Sequence, residues 1–349
     1  MFNKIISPEN FARAYRQTRV GSPKHRDGAI RFSDNETYNI EQLRQEFIHG
    51  EYWPKEYFQF SIYEPKERVI YAPRYRDKIA QHAVNNVLRD FYEPKFIHDS
   101  YACIRKKGNQ KAVFRIQHHM RASSINYADP WLIKADVQKF FYSIDRNVMK
   151  QIVRKKVVCL KTLEILEKII DSSPGDIGLP LGNLTSQVLA NVLMNEIDHY
   201  IKRTLKVKRY VRYADDLILI VDGRAQAGDV LGCIKAFGRD ALRLTFPPRK
   251  SFIRPMKDNI ETLGYKISPA RLSLTSKTKS RFIERLRGVD AMLERDIDKG
   301  SEAIQSLTSW YSYAGIAACQ RFVREACFKT ERVRFTNNDQ FIILRNCHD

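Results

Sequence analysis

"RYVRYADDLILIV", Arg209 to Val221, is the stretch on which the reading of this chain turns. "RYVRY" alternates as a strand with one buried face does. "LILIV" is five consecutive apolar residues, the pattern of a strand buried on both faces. Asp215 and Asp216 lie between them, so the two runs read as a hairpin with adjacent carboxylates at its tip. Adjacent carboxylates repel, and the end of a core sheet is a costly place for them. A second apolar strand, Trp131 to Val137 in "DPWLIKADVQKFF", runs into polar residues at Asp136. If strands of one sheet bring these tips together, three carboxylates meet and cations must neutralise them. Hard oxygen ligands favour Mg²⁺. Two such ions about 4 Å apart can clamp the attacking and leaving oxygens of an in-line phosphoryl transfer. The plain alternative is an Asp-containing turn with solvated side chains. The solidly apolar second strand and the third aspartate shift the balance away from it.

Composition agrees with a charged substrate. The chain has 349 residues, 43% of them hydrophobic, enough for a full core in two or three lobes. Lys and Arg number 60 and Asp and Glu 40, a net charge of +20. That excess points to a polyanion, of which nucleic acid is the commonest. A membrane surface competes, but no apolar stretch approaches the ~20 residues of a spanning helix. The start, "MFNKIISPENFARAYRQ", lacks the apolar core of a secretion signal. Six cysteines are scattered without a CxxC or Cys/His cluster, which argues against zinc and for reduced thiols in a cytosolic protein.

Along the chain, residues 21–37 read as a loop between a short helix and a second helix near Ile40–His49. "YFQFSIYEPKERVIYAP" reads as a strand pair turning at Pro65. Helical spacing covers Asp77–Tyr92 and Leu160–Ile170. Gly178–Gly182 is a Gly/Pro loop opening a helix of about 18 residues. A helix near Val230–Ala241 and a hairpin in "ETLGYKISPARLSLT" follow. From Lys277 the pattern is helical and basic. Strands and helices alternate in the middle, which predicts an α+β or α/β chain around a central sheet.

These stretches, taken in order, resemble the motifs of reverse transcriptases. "YADD" (Tyr213–Asp216) looks like their catalytic motif, and "KADVQKFFYSID" like the first palm motif. "GLPLGNLTSQ" (Gly178–Gln187) resembles the loop and helix that back the nucleotide, and "ETLGYKI" (Glu261–Ile267) the primer grip. "EPKERVIYAPRYRDKIAQHAV" and "DSYACIRKKGNQKAV" are similar to fingers motifs of group II intron and related bacterial enzymes. The matches run from about residue 60 to residue 268.

The resemblance implies an α+β right-hand fold. It has an N-terminal helical extension (1–60), fingers (61–130), a palm of antiparallel sheet backed by helices (131–270, with an insert near 150–177) and a small helical thumb (271–349). It implies RNA-directed DNA polymerisation with two Mg²⁺ ions, for which Mn²⁺ can substitute. Asp136, Asp215 and Asp216 match the metal-binding carboxylates, and the carbonyl of Val137 completes the set. Phe141 matches the aromatic under the sugar that excludes a 2′-hydroxyl; plain core packing is its alternative. Lys66 and Arg68 match groups on the incoming dNTP triphosphate, with Arg74 and Arg105 as weaker candidates. Leu181 and Gly182 lie where the loop meets the nucleotide. Lys250 matches the lysine that protonates departing pyrophosphate, and Arg249 beside it competes for that role. Leu263, Gly264 and Tyr265 match the primer grip. The basic tail would lie along the backbone of an A-like RNA–DNA hybrid.

One departure narrows the family. Most reverse transcriptases carry Gln after the loop proline and Ser-Pro at its end, whereas this chain has Leu181 and then Ser186-Gln187. That pattern resembles enzymes of diversity-generating retroelements, bacterial or phage-encoded and cytoplasmic. They copy a template-repeat RNA, misread its adenines, and pass the altered DNA into a target gene by mutagenic retrohoming. They work with a small basic accessory variability protein that forms a ring. A retron or defence-associated bacterial reverse transcriptase shares the palm and stays as an alternative. A palm used only as an RNA-binding scaffold is a remoter one, against which the three intact aspartates count.

Overall fold

The computed structural model describes residues 1–20, 27–63, 67–257 and 259–344. The chain divides into two compact units. The first comprises Met1–Lys106, Ile133–Leu219 and Ala225–Ile253; the second comprises Lys107–Leu132, Ile220–Arg224 and Arg254–Asp349. Helices and antiparallel hairpins follow one another in blocks along the chain, and the class is α+β.

The first unit opens with helices Phe2–Ile5, Pro8–Thr18, Asp27–Ser33 and Glu36–His49. The loop expected over 21–37 is therefore helical from Asp27. Ala29 is buried there, and the Asn39 side chain donates to the Phe32 carbonyl at 3.0 Å, tying this short helix to the next. Strands β1 (Phe58–Ile62) and β2 (Arg68–Ala72) then pair antiparallel, with Phe60 opposite Ile70. The turn expected at Pro65, and Lys66 with it, lie outside the described residues. Helix Tyr75–Tyr92 follows, buried along its apolar stripe.

The central sheet has four strands: β3 (Pro130–Asp136), β4 (Arg209–Tyr213), β5 (Asp216–Asp222) and β6 (Phe252–Pro255). Their order is β4-β5-β3-β6, so the strand ending in Asp136 neighbours the strand beginning with Asp216. Leu217 to Val221 are all buried, as the unbroken apolar run requires. Helix Leu184–His199 is buried along most of its length and runs on into a single π-helical turn, Tyr200–Thr204. The helix expected near Val230–Ala241 is longer, Arg224–Leu242.

In the second unit, "ETLGYKISPARLSLT" forms three short antiparallel strands rather than one hairpin: β7 (Ile260–Thr262), β8 (Tyr265–Ile267) and β9 (Leu272–Leu274). Helices Ser276–Arg295, Gly300–Ala314 and Gln320–Cys327 follow. The helical tail ends in a last hairpin, β10 (Val333–Phe335) and β11 (Phe341–Ile343). Phe335 and Phe341 pack their rings on Tyr311, and Phe341 also reaches Phe282, which gives this hairpin a core of its own. Among the described residues no helix is long and apolar enough to cross a membrane.

Candidate active site

Two-residue turns join strands tightly, and Ala214-Asp215 is such a turn between β4 and β5. Ala214 has φ of +54°, a conformation that costs a non-glycine residue roughly 1 kcal/mol or more. The strain places Asp215 and Asp216 at the mouth of the sheet, beside Asp136 at the end of β3. Asp215 is lifted from the ordinary 3.8 to about 6, first by burial and then by the charge of Asp136, with a further push from Asp216 and partial relief from Lys250.

The cations that hold these charges are lysines. Lys250 Nζ donates to Asp136 Oδ1, and Lys134 Nζ lies 3.6 Å from Asp216 Oδ2. Lys134 stands two residues before Asp136, so both project from one face of β3. The segment carrying Lys250 is itself fixed to the same strand end: the Asp136 amide donates to Ser251 Oγ at 3.3 Å, and the Gln138 amide to the Thr245 carbonyl at 2.8 Å. Between the two basic neighbours, Lys250 and not Arg249 is the one bonded to the site. Among the described residues no three His, Cys, Asp or Glu side chains are grouped to hold a metal ion. The donor chemistry nevertheless suits a hard cation: three carboxylates, and on Asp215 a charge that burial leaves undercompensated.

A second cluster stands around the Gly178–Gly182 loop. Gly178 has φ of +93°, and a Cβ there would sit 2.9 Å from the Tyr142 carbonyl and 3.0 Å from that of Phe141. Gly182 has φ of +111°, and a Cβ would sit 2.8 Å from the Tyr71 carbonyl. The Tyr71 amide donates to the Leu181 carbonyl at 2.8 Å, and the Leu179 amide to that of Phe141 at 2.8 Å. Tyr142 Oη closes the circle by donating to the Val69 carbonyl at 3.1 Å. The loop thus clasps the half-buried Phe141 on one side and β2, with exposed Arg68 at its start, on the other. Behind it, Gln81 accepts from the Leu184 amide at 3.2 Å and Asn183 donates to Tyr57 Oη at 2.8 Å, fixing the first turn of the helix.

The two weaker triphosphate candidates are engaged elsewhere. Arg105 pairs with Asp90 at 2.5 Å and Glu93 at 2.8 Å. Arg74 stacks on the Phe58 ring, 3.8 Å from its centroid.

The primer-grip candidates belong to the second unit. Leu263 and Gly264 both have positive φ, +53° and +84°, as the tight turn between β7 and β8 demands. Tyr313 Oη donates to the Leu263 carbonyl at 2.6 Å and Thr278 Oγ1 to the Gly264 carbonyl at 2.8 Å. Tyr265 is fully buried, and its hydroxyl donates to the Tyr313 carbonyl. It is Leu263 and the turn backbone, not the Tyr265 ring, that reach the surface of this unit.

Sequence reading missed Arg212 and Lys134. Arg212 is a fully buried cation inside β4, paired with Asp198. In "RYVRY" it shares a strand face with Tyr210, and its partners come from the helix opposite, where Asn191 and Asp198 lie seven residues apart on one face.

A family described as reverse transcriptase (RNA-dependent DNA polymerase) matches residues 55–267. Protein YkfC of Escherichia coli (strain K12) is 23% identical, the alignment covering 75% of this chain and 81% of that one. Group II intron-encoded protein LtrA of Lactococcus lactis subsp. cremoris is 21% identical over 74% of this chain and 54% of its own length. The chain therefore spans about half of that relative. A solved telomerase from Candida albicans, in complex with a fragment of telomeric RNA, aligns over 80% of this chain and 63% of its own at 10% identity and a TM-score of 0.48.

Proposed function

The chain belongs to the reverse transcriptase (RNA-dependent DNA polymerase) family, and from that premise we propose that it copies an RNA template into DNA at Asp136, Asp215 and Asp216. The observation that carries this reading is Asp215, on the turn that leads into β5, with its carboxyl raised to about 6 by burial and by the charge of Asp136 at the end of the neighbouring strand β3. The carboxylates and the Val137 carbonyl would hold two Mg²⁺ ions, or Mn²⁺ in their place, which supply activation of the primer 3′-hydroxyl and neutralise phosphate charge when bound. Without metal, Lys134 and Lys250 hold the carboxylate charges. Lys250, released from Asp136, has a flexible stem and an exposed ammonium suited to donate a proton toward the leaving pyrophosphate. Phe141, clasped by the loop, presents a ring that a 2′-hydroxyl meets sterically. Arg68 is the described cation on the fingers strand, with Lys66 beside it in sequence, for the triphosphate. Residues 61–130, 131–270 and 271–349 serve as fingers, palm and thumb, after an N-terminal extension over 1–60.

Within the family, we propose the diversity-generating branch: error-prone copying of a template-repeat RNA, in the cytoplasm of a bacterium, together with a small basic ring-forming accessory protein. Leu181 supports it. Its carbonyl is anchored to β2, and its half-buried side chain brings no polar group to the place where accurate relatives carry Gln. The +20 charge suits an RNA partner. Primer extension on an RNA template with dNTPs tests the first reading: product with Mg²⁺ and none with EDTA is expected, and no product under either condition overturns it. Sequencing the cDNA tests the second, since errors concentrated at template adenines are expected and uniform errors overturn it.

A further inference from the structure

We propose that Arg212 is a positioning residue that sets the catalytic turn, with Asp198 fixing Arg212 in place; the inference rests on the polymerase reading above. The side chains of Arg212 and Asp198 are both 0% exposed. Arg212 Nε donates to Asp198 Oδ1 at 2.8 Å and Nη2 to Oδ2 at 2.8 Å, a bidentate fork. Tyr210 Oη donates to Asp198 Oδ1 at 2.7 Å. That leaves Nη1, and it faces the turn: it donates to Asn191 Oδ1 at 2.9 Å and to the Ala214 carbonyl at 3.1 Å.

The Ala214 carbonyl belongs to the peptide that carries the Asp215 amide. Fixing that oxygen fixes the peptide plane, and with it the direction in which Asp215 leaves the backbone. This is the same residue pair whose φ of +54° at Ala214 has to be enforced from outside. The holder is itself immobile. The Arg212 amide donates to the Asp99 carbonyl at 2.9 Å, its carbonyl accepts from the Tyr101 amide at 3.0 Å, and Asn191 is bonded to the Ala102 carbonyl at 3.0 Å. Tyr210 and Arg212 share one face of β4, and Asn191 and Asp198 share one face of the helix behind it. The Arg212 and Asp215 charges also attract one another.

Stability alone is a poor reason for the pair. Desolvation consumes most of the attraction in a buried ion pair, and apolar residues of similar volume often do as well or better. The bond to the Ala214 carbonyl is what an apolar replacement loses.

That difference gives the test. The combined variant Arg212→Met, Asp198→Leu, Tyr210→Phe removes both charges together, so neither is left buried and unpaired. Arg212→Lys keeps a buried cation beside Asp198 but cannot bridge Asn191 and Ala214 at once. Single-nucleotide incorporation on an RNA template with a DNA primer is followed by rapid quench, with thermal unfolding alongside. Burst amplitude reports the active fraction, and burst rate reports geometry at the reacting atoms. The expected result is a burst rate lowered at least tenfold in the folded variants, with the dNTP concentration for half-maximal rate within about twofold of wild type. A purely structural role moves Tm and amplitude and leaves the rate per active molecule unchanged; that outcome in either variant overturns the inference. Should the combined variant not fold, Arg212→Lys decides alone. An inactive wild type overturns the polymerase reading itself, whereas an active wild type with equally fast variants overturns only the role of Arg212.

Discussion

Asp215 carries a conflict between stability and chemistry that can be measured. Burial and the neighbouring charge of Asp136 lift its carboxyl from 3.8 to about 6. At ~1.4 kcal/mol per unit, the ionised group costs the metal-free fold about 3 kcal/mol above pH 6. The sign follows from proton linkage. Between about pH 4 and 6 the folded protein binds the Asp215 proton more tightly than the unfolded chain does, so stability falls as pH rises through that window and is level beyond it. Asp215→Asn keeps the shape and removes the charge. In EDTA at pH 8 the variant is expected to be more stable than wild type by about 3 kcal/mol, several degrees in Tm, and near pH 4 the difference should vanish. Adding Mg²⁺ at pH 8 should raise the Tm of wild type and leave that of the variant nearly unchanged. Thermal unfolding by circular dichroism over this pH range, with and without Mg²⁺, reads all three. A variant less stable than wild type in EDTA at pH 8 refutes the reasoning, because the buried charge would then be fully compensated.

Phe141→Ala should admit ribonucleotides, read as a rise in rNTP relative to dNTP incorporation; an unchanged ratio makes Phe141 a packing residue only. Gly182→Ala adds a Cβ 2.8 Å from the Tyr71 carbonyl at φ of +111°, so it should weaken dNTP binding by displacing the loop from β2, and wild-type kinetics would contradict the clasp. Leu181→Gln should lower misincorporation opposite template adenine without abolishing synthesis, each ~1.4 kcal/mol of regained discrimination being tenfold in error. Sequencing cDNA from both proteins on one template checks this, and equal adenine errors in an active variant remove Leu181 as a fidelity determinant.

The readable parts of the fold are those in which local pattern and tertiary demand coincide. The unbroken "LILIV" and the strand ends at Asp136 and Asp216 are legible because burial on both faces leaves a direct trace in one dimension, whereas "RYVRY" reads as having one buried face and is buried at Tyr210, Val211 and Arg212 alike. The source of the neutralising charge left no such trace. Sequence suggested metal alone, while Lys134 and Lys250 become counter-ions only when β3, β5 and the 245–251 segment are assembled. Arg105 shows the same limit from the other side. As a lone basic residue among fingers motifs it reads as a phosphate ligand, but Asp90 and Glu93, one helix earlier, already hold it. The helix at Asp27–Ser33 escaped because it is a short segment with a glycine at its second position, where propensity is weak. Arg212 escaped because a charged residue in a strand reads as solvated unless the partner across the core is known.

The most direct test of the central claim separates chemistry from binding. Wild type, Asp215→Ala and Asp216→Ala are compared for primer extension on RNA with Mg²⁺ and for RNA affinity by filter binding. In the proposed mechanism synthesis rests on the carboxylates, whereas binding rests on the basic surface. Both variants should lose DNA synthesis and keep RNA affinity within a few fold of wild type. Near-normal synthesis by Asp215→Ala would contradict the account.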